Sequence, residues 1–428
     1  MKFLAMGVAS ALALSIVQPH DALAQNAAQS EAPLFNAEAA WTEFEQVMRG
    51  AYAYIDRDDI DVEAQLVRSK QIALATTDAA AFRKVIHQTA LTFMDPHLIV
   101  GPFTDDDYAI VMTAADMDAR FVDGDLRVSD VRAGSPAFDA GIRSGDRVTM
   151  IDGAQPALAA RLPFGDVLPD PTAAQLDYGA TLAINGRREG SRNLVIDNGN
   201  GAREIELITA TQYARSFGDR PLVSTSRIGE EGAIGVIRIG NSLGNNDTIT
   251  AFDAAMAEMA DARAIVLDMR DTPSGGNTEV ARSIIGHFTD QAMPYQMHRI
   301  PAIEREFSVP RQFVEYVQPR APYFSGPVYV LHGRWTGSMG EGIVIGMDAA
   351  TDAVSIGSNM GDLLGGLWNI DLNASGARID LGGESLFHVD GTPREDFAAD
   401  VEISPAETAA DGSDPAMAAV LQLLHQRD

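Results

Sequence analysis

The strongest constraint on this chain is a change of rhythm after Gly232. From there, apolar runs short enough for strands, at 233–239 and 264–269, alternate with runs of helical spacing at about 248–259 and 277–288. The alternation continues through an apolar run at 328–331, a helical run at 338–349 and a strand-like run at 353–356 that leads into a glycine-rich turn. Strand and helix in regular succession predict an α/β domain, assigned to 225–428 and closed by an amphipathic helix at 414–426.

Upstream the periodicity differs. Trp41, Phe44, Val47 and Met48 fall at helical spacing, and a second helical run at 79–93 stops before Asp95-Pro96-His97, where proline disfavours a helical Asp95. A helical subdomain is therefore expected over 31–105. Between 106 and 209, short alternating runs broken by Gly, Asp and Asn predict a β-rich module, with strands at 126–131, 147–151 and 203–208. The whole is expected to be multidomain α+β. Residues 1–24 differ again: Met1-Lys2, an apolar run over 3–17 and Ala22-Leu23-Ala24 have the basic start, short apolar middle and small-residue cleavage pattern of a signal peptide. No later segment approaches the ~20 apolar residues of a membrane-spanning helix. An exported, periplasmic protein with no integral membrane segment after signal removal is the expectation.

Composition excludes several classes of function. The formal charge of -28 argues against nucleic acid and anionic membrane, which require clustered Lys and Arg. The chain has no cysteine, so disulfides, thiolate metal sites and a cysteine nucleophile are ruled out. The histidines are scattered, with no H-E-x-x-H, and neither a phosphate-binding loop nor a dinucleotide fingerprint follows a strand. No metal and no cofactor are expected. Lysine occurs only at positions 2, 70 and 84, so nothing after Lys84 can supply a lysine base.

The stretch from Val128 to Gly153 resembles the core of a PDZ domain: a strand leads to Gly134-Ser135-Pro136-Ala137, then Ala140-Gly141-Ile142, Gly145-Asp146 and a strand ending Ile151-Asp152-Gly153. Such domains bind extended peptides by strand addition and often hold a terminal carboxylate in a nest of amides. The segment where that nest belongs, 111–117, contains no glycine. A scaffold-only module is the alternative to peptide capture.

The resemblance widens to the C-terminal processing (tail-specific) peptidases and their tricorn-core relatives. Asp95-Pro96-His97, then Asp268-Met269-Arg270 with Pro273-Ser274-Gly275-Gly276, then Thr336-Gly337-Ser338-Met339-Gly340-Glu341 and finally Gly391-Thr392-Pro393-Arg394-Glu395 follow the order of that family's motifs. The resemblance implies a C-terminal domain of the Clp-protease/crotonase-like type, a polypeptide substrate engaged through its C-terminal segment, and a catalytic serine at Ser338. It also marks a departure. The turn that carries the processing peptidases' lysine reads Gly357-Ser358-Asn359-Met360-Gly361-Asp362-Leu363-Leu364 here. The tricorn-like branch pairs serine with an upstream histidine and a downstream glutamate, which implies His97 and Glu395.

The chemistry also stands without the resemblance. A serine hydroxyl needs a base within hydrogen-bond reach and a third group to hold that base. Ser338 at a helix start would have the amides of Met339 and of Gly275 or Gly276 available as an oxyanion hole. Each residue also has a plain reading: Ser338 with Glu341 spells a capping box, the glycine pair a strand-to-helix turn, and His97 a turn histidine. His332 is a rival base. A serine peptidase is the leading expectation, beside an inactive peptide-binding relative and an exported esterase.

Overall fold

The computed structural model describes residues 35–273, 275–404 and 413–427; the signal-peptide segment and Ser274 lie outside the described residues. Asn36, Asp61 and Asp78 each accept a first-turn N–H and so start α1 (Ala37–Ala51), α2 (Val62–Leu74) and α3 (Ala79–Leu91). Ala40, Trp41, Phe44 and Met48 form the buried stripe of α1, at the helical spacing read from sequence. The three helices do not close a core of their own. Their apolar faces share one cluster with Leu372, Ile379 and Leu381 from the far end of the chain. After α3 the chain turns through Asp95-Pro96-His97 into β1 (Ile99–Gly101).

The next module contains β2 (Met117–Val122), β3 (Asp125–Val131), α4 (Pro136–Asp139), β4 (Arg147–Ile151), α5 (Pro156–Ala159), α6 (Ala173–Asn185), β5 (Ser191–Asp197), β6 (Ala202–Ile208) and α7 (Ala210–Arg215). Its sheet is antiparallel in the order β2-β3-β4-β5-β6, and the three strands expected from sequence are β3, β4 and β6. Helix α6 was not foreseen in a β-rich reading. It is buried along most of its C-terminal half and starts at a capping box between Thr172 and Gln175. Gly179 lets it press onto the Ala160 carbonyl, where a Cβ would collide.

The remaining elements are β7 (Val223–Ile228), β8 (Ile234–Ile239), α8 (Asp247–Glu258), β9 (Ala264–Asp268), α9 (Thr278–Ile285), β10 (Met293–Arg299), α10 (Pro301–Phe307), β11 (Gln312–Val317), β12 (Val328–His332), α11 (Met339–Ala350), β13 (Val354–Gly357), β14 (Gly366–Leu372), β15 (Ala377–Phe387), β16 (Val401–Glu402) and α12 (Pro415–His425). Six strands form one sheet in the order β16-β13-β12-β9-β8-β7, parallel except for the edge strand β7. Strands β9 and β12 are buried throughout, as expected of parallel strands covered on both faces. Helices α8, α9 and α11 pack on one face and α12 on the other.

A second C-terminal sheet, β1-β15-β10-β11 with β14 also paired to β15, has no counterpart in the sequence reading. It carries β1, and with it the segment following His97, onto the α/β domain. Among the described residues no helix is long and apolar enough to cross a membrane.

Candidate active site

Two loops leave the carboxyl ends of the adjacent parallel strands β9 and β12. The first carries Asp271 to Gly276 and the second carries Gly333 to Ser338. They are joined directly: Thr336 Oγ1 donates to the Met269 carbonyl at 2.9 Å, and the Gly337 N–H donates to the Thr272 carbonyl at 2.9 Å. Asp268, at the end of β9, takes Nε and Nη2 of Arg270 at 2.8 and 2.9 Å and Arg238 Nε at 2.9 Å, while Arg270 also reaches Asp414. The acid and base of the Asp268-Met269-Arg270 motif thus serve as an ion-pair lock beneath the loop.

Ser338 and Glu341 form the capping box read from sequence, yet the backbone of Ser338 is not that of an ordinary helix cap. Side-chain caps elsewhere in the chain have negative φ, as in Asn36 (φ -123°), Asp61 (φ -76°), Asp78 (φ -147°) and Ser135 (φ -86°), but Ser338 has φ 52° and ψ -114°. Holding a non-glycine residue there costs on the order of 1–3 kcal/mol, a strain that clusters at functional sites. The Glu341 carboxylate helps to hold it, accepting the Ser338 N–H at 2.7 Å. The half-buried Ser338 side chain lies against Gly275: a Cβ on that glycine would sit 2.5 Å from both Ser338 Cβ and Met339 N, and closer still to Oγ. Among the described residues nothing accepts the Met339 N–H, which leaves it free at the helix start. Gly276 faces the other way, against the Leu243 carbonyl.

Behind the serine lies a buried ion pair. Glu341 is pushed up to about 7 by burial, against the pull of Arg394, whose Nη2 lies 3.4 Å from its Oε2. Arg394 also donates to the carbonyls of Leu363, of Gly365 at 3.4 Å and of Ser338 at 3.3 Å. The segment 363–365 is therefore pinned to the serine helix, and His97 lies on it: Nδ1 pairs with the Leu364 carbonyl at 3.2 Å. A backbone carbonyl at Nδ1 fixes the proton there and leaves Nε2 as the basic nitrogen. Burial, with Arg394 nearby, holds the ring at about 3, so it is neutral. Asp95 orders the turn by accepting the His97 N–H and the Tyr52 hydroxyl, both at 2.8 Å.

Residues 233–403 match the model of peptidase family S41. The chain carries a peptidase family S41 domain. It is accordingly a serine-type peptidase, a hydrolase. Solved structures share its fold over nearly the whole length. Mature CPAF is 15% identical with a TM-score of 0.63, over 91% of this chain and 97% of CPAF. The photosystem II D1 C-terminal processing protease is 16% identical with a TM-score of 0.53, over 89% of this chain and 98% of that protein. No curated protein matches the chain.

The fold brings Ser338, Gly275 and Met339 together, and His97 is tied to them through segment 363–365, which Arg394 links to the Ser338 carbonyl. No hydrogen bond joins Ser338 to His97 among the described residues. Glu395 is half-buried, and burial raises its carboxyl; it makes no hydrogen bond to His97, whose Nδ1 is already on Leu364. His332 ends β12 with both ring nitrogens buried and unpartnered, its ring 6.0 Å from Phe397 and held at about 4 by burial. That is the environment of a core histidine. Among the described residues no group of three acidic or histidine side chains could hold a metal ion. Sequence reasoning singled out Glu395 and missed its neighbour Arg394; a lone arginine beside a favoured glutamate gave no signal.

The β-rich module braces this site. Thr113 Oγ1 donates to the Pro273 carbonyl, and the buried Arg132 pairs with Asp271, which also takes Arg220 at 2.6 Å. Arg334, four residues before Ser338, reaches Asp118 of β2 at 3.4 Å and Asp362 at 3.7 Å. The loop that carries Ser338 and the module therefore share their charges.

Proposed function

We propose that the chain is an exported, periplasmic serine endopeptidase that hydrolyses peptide bonds through an acyl-enzyme on Ser338. Ser338 Oγ attacks the carbonyl carbon of the scissile bond while His97 Nε2 takes its proton. The Met339 and Gly275 amides stabilise the oxyanion. The C–N bond then breaks as His97 returns the proton to the departing amine. Water, deprotonated by the same histidine, cleaves the acyl ester and restores Ser338. His97 and Ser338 must close across segment 363–365 for this chemistry, since catalytic hydrogen bonds are often long in substrate-free enzymes. A ring held near 3 is neutral but disfavours the imidazolium. Glu395 has its role here, approaching the ring as charge develops and raising its basicity.

The observation that carries this reading is the backbone of Ser338: a capping serine needs no positive φ, whereas a nucleophile turned toward a glycine-lined recess does. We read residues 106–209 as a PDZ-like module and the C-terminal domain as of the Clp-protease/crotonase-like type. Casein cleavage by the mature protein, beside Ser338→Ala and His97→Ala, tests the scheme. Loss of activity in both supports it. Loss in the serine variant alone moves the base to another residue, and inert wild type that still binds peptide favours an inactive binding relative.

A further inference from the structure

An edge strand presents unpaired N–H and C=O groups to which a peptide can add. Strand β2 is an edge of the module's sheet, and helix α6 lies along it. The alternate residues 117, 119 and 121 turn their backbone groups to side chains of that helix. Asn185 Oδ1 accepts the Met117 N–H at 3.4 Å and Nδ2 donates to the Met117 carbonyl at 2.8 Å. Thr181 Oγ1 accepts the Ala119 N–H at 3.1 Å and lies 3.0 Å from the Ala119 carbonyl. Asp177 Oδ1 accepts the Phe121 N–H at 2.7 Å. The match is geometric: four residues of helix advance about 6 Å and two residues of strand about 6.7 Å, so positions 177, 181 and 185 track 121, 119 and 117 in antiparallel order.

The end of this ladder also fills the position of a ligand's carboxylate. Two consecutive amides, of Asp116 and Met117, converge on Asn185 Oδ1 at 3.2 and 3.4 Å, as a backbone nest converges on an anion. Beside them the Asp116 carboxylate is already paired with Arg192 in a buried bidentate contact at 2.8 and 2.5 Å. An incoming carboxylate would have to displace Asn185 Oδ1, on which Arg192 Nη1 also lies at 3.5 Å, and would have to compete with Asp116 for that guanidinium. Asn185 and Thr181 are buried, so the ladder is not a surface decoration.

We infer that α6 is a built-in ligand of β2, and that this peptidase takes internal segments of polypeptides without selecting a free C-terminus. The inference rests on reading Ser338 as the nucleophile. It also gives the module a different task from peptide capture, because Asp118 of β2 takes both Thr181 Oγ1 at 3.1 Å and Arg334 of the catalytic loop at 3.4 Å. Sealed by its own helix, the module is a rigid support for that loop.

The test uses internally quenched peptides spanning a bond the enzyme cuts in casein, made with a free C-terminal acid or a carboxamide. The expected kcat/KM values agree within about twofold, and a preference of about tenfold or more for the free acid overturns the inference. A second arm needs no activity: hydrogen exchange of full-length Ser338→Ala with and without the free-acid peptide. Slow exchange at Ala119 and Phe121 that the peptide leaves unchanged, and that Thr181→Ala accelerates at Ala119, is the expected result. Peptide-dependent loss of protection over α6 overturns it. If neither peptide is cleaved and Ser338→Ala equals wild type, the peptidase reading fails, and the exchange arm alone decides whether the edge is sealed.

Discussion

Substituting Gly275 with alanine should disable the enzyme while leaving the fold intact. The added Cβ would lie 2.5 Å from Ser338 Cβ and from Met339 N, and nearer to Oγ. Ordinary contact begins near 3.4 Å, so nucleophile and glycine must separate by about 1 Å. A misplacement of that size costs roughly a hundredfold in rate, equivalent to about 3 kcal/mol of transition-state stabilisation. Two neighbouring glycines serve as controls. Gly276→Ala drives its Cβ into the Leu243 carbonyl and should lower the unfolding midpoint, whereas Gly244→Ala, whose Cβ meets nothing nearer than 3.7 Å, should change neither activity nor stability. Peptide kcat/KM and urea unfolding of the three variants make the comparison. Gly275→Ala with kcat/KM within about threefold of wild type would refute the placement of that glycine at the nucleophile.

His332→Leu tests the assignment of that histidine to the core. Its folded value of about 4 lies below the ordinary 6.5, so the unfolded chain binds the extra proton and wild type loses stability as pH falls from about 6.5 towards 4. The variant should therefore gain on wild type over that window, by up to about 3 kcal/mol in urea unfolding, and parallel curves would contradict the assignment. Thr113→Val removes one hydrogen bond to the Pro273 carbonyl and should lower kcat about fivefold with little change in KM; an unchanged kcat would show that the brace is not felt at the site. Arg192→Met leaves the Asp116 carboxylate buried without its partner and should cost about 3–5 kcal/mol, measured by the shift in urea midpoint.

The α/β half was legible because its strands and helices announce themselves by period: the runs at 264–269 and 328–331 became β9 and β12 within a residue or two. The long β14–β15 hairpin was not read, although both strands alternate and Asn373-Ala374-Ser375-Gly376 separates them as a turn. Helix α6 was hidden for a different reason. Buried through most of its C-terminal half, it lacks the amphipathic stripe that marks a surface helix, and only the Thr172–Gln175 cap would have exposed it. In the site, Ser338, Gly275 and Met339 were named from motif order, but the positive φ at Ser338 and the Arg394–Glu341 pair behind it depend on tertiary packing. The missing glycine in 111–117 was the one hint of the sealed groove, and its meaning appeared only when Asn185 was found on those amides.

Intact-protein and peptide-mapping mass spectrometry after reaction with a fluorophosphonate tests the central claim most directly. A single adduct on Ser338, formed at a rate that falls at least about a hundredfold in His97→Ala, is the predicted result. A wild-type protein that takes no label, or takes it on another serine, or a His97→Ala variant that labels as fast as wild type, would contradict the account.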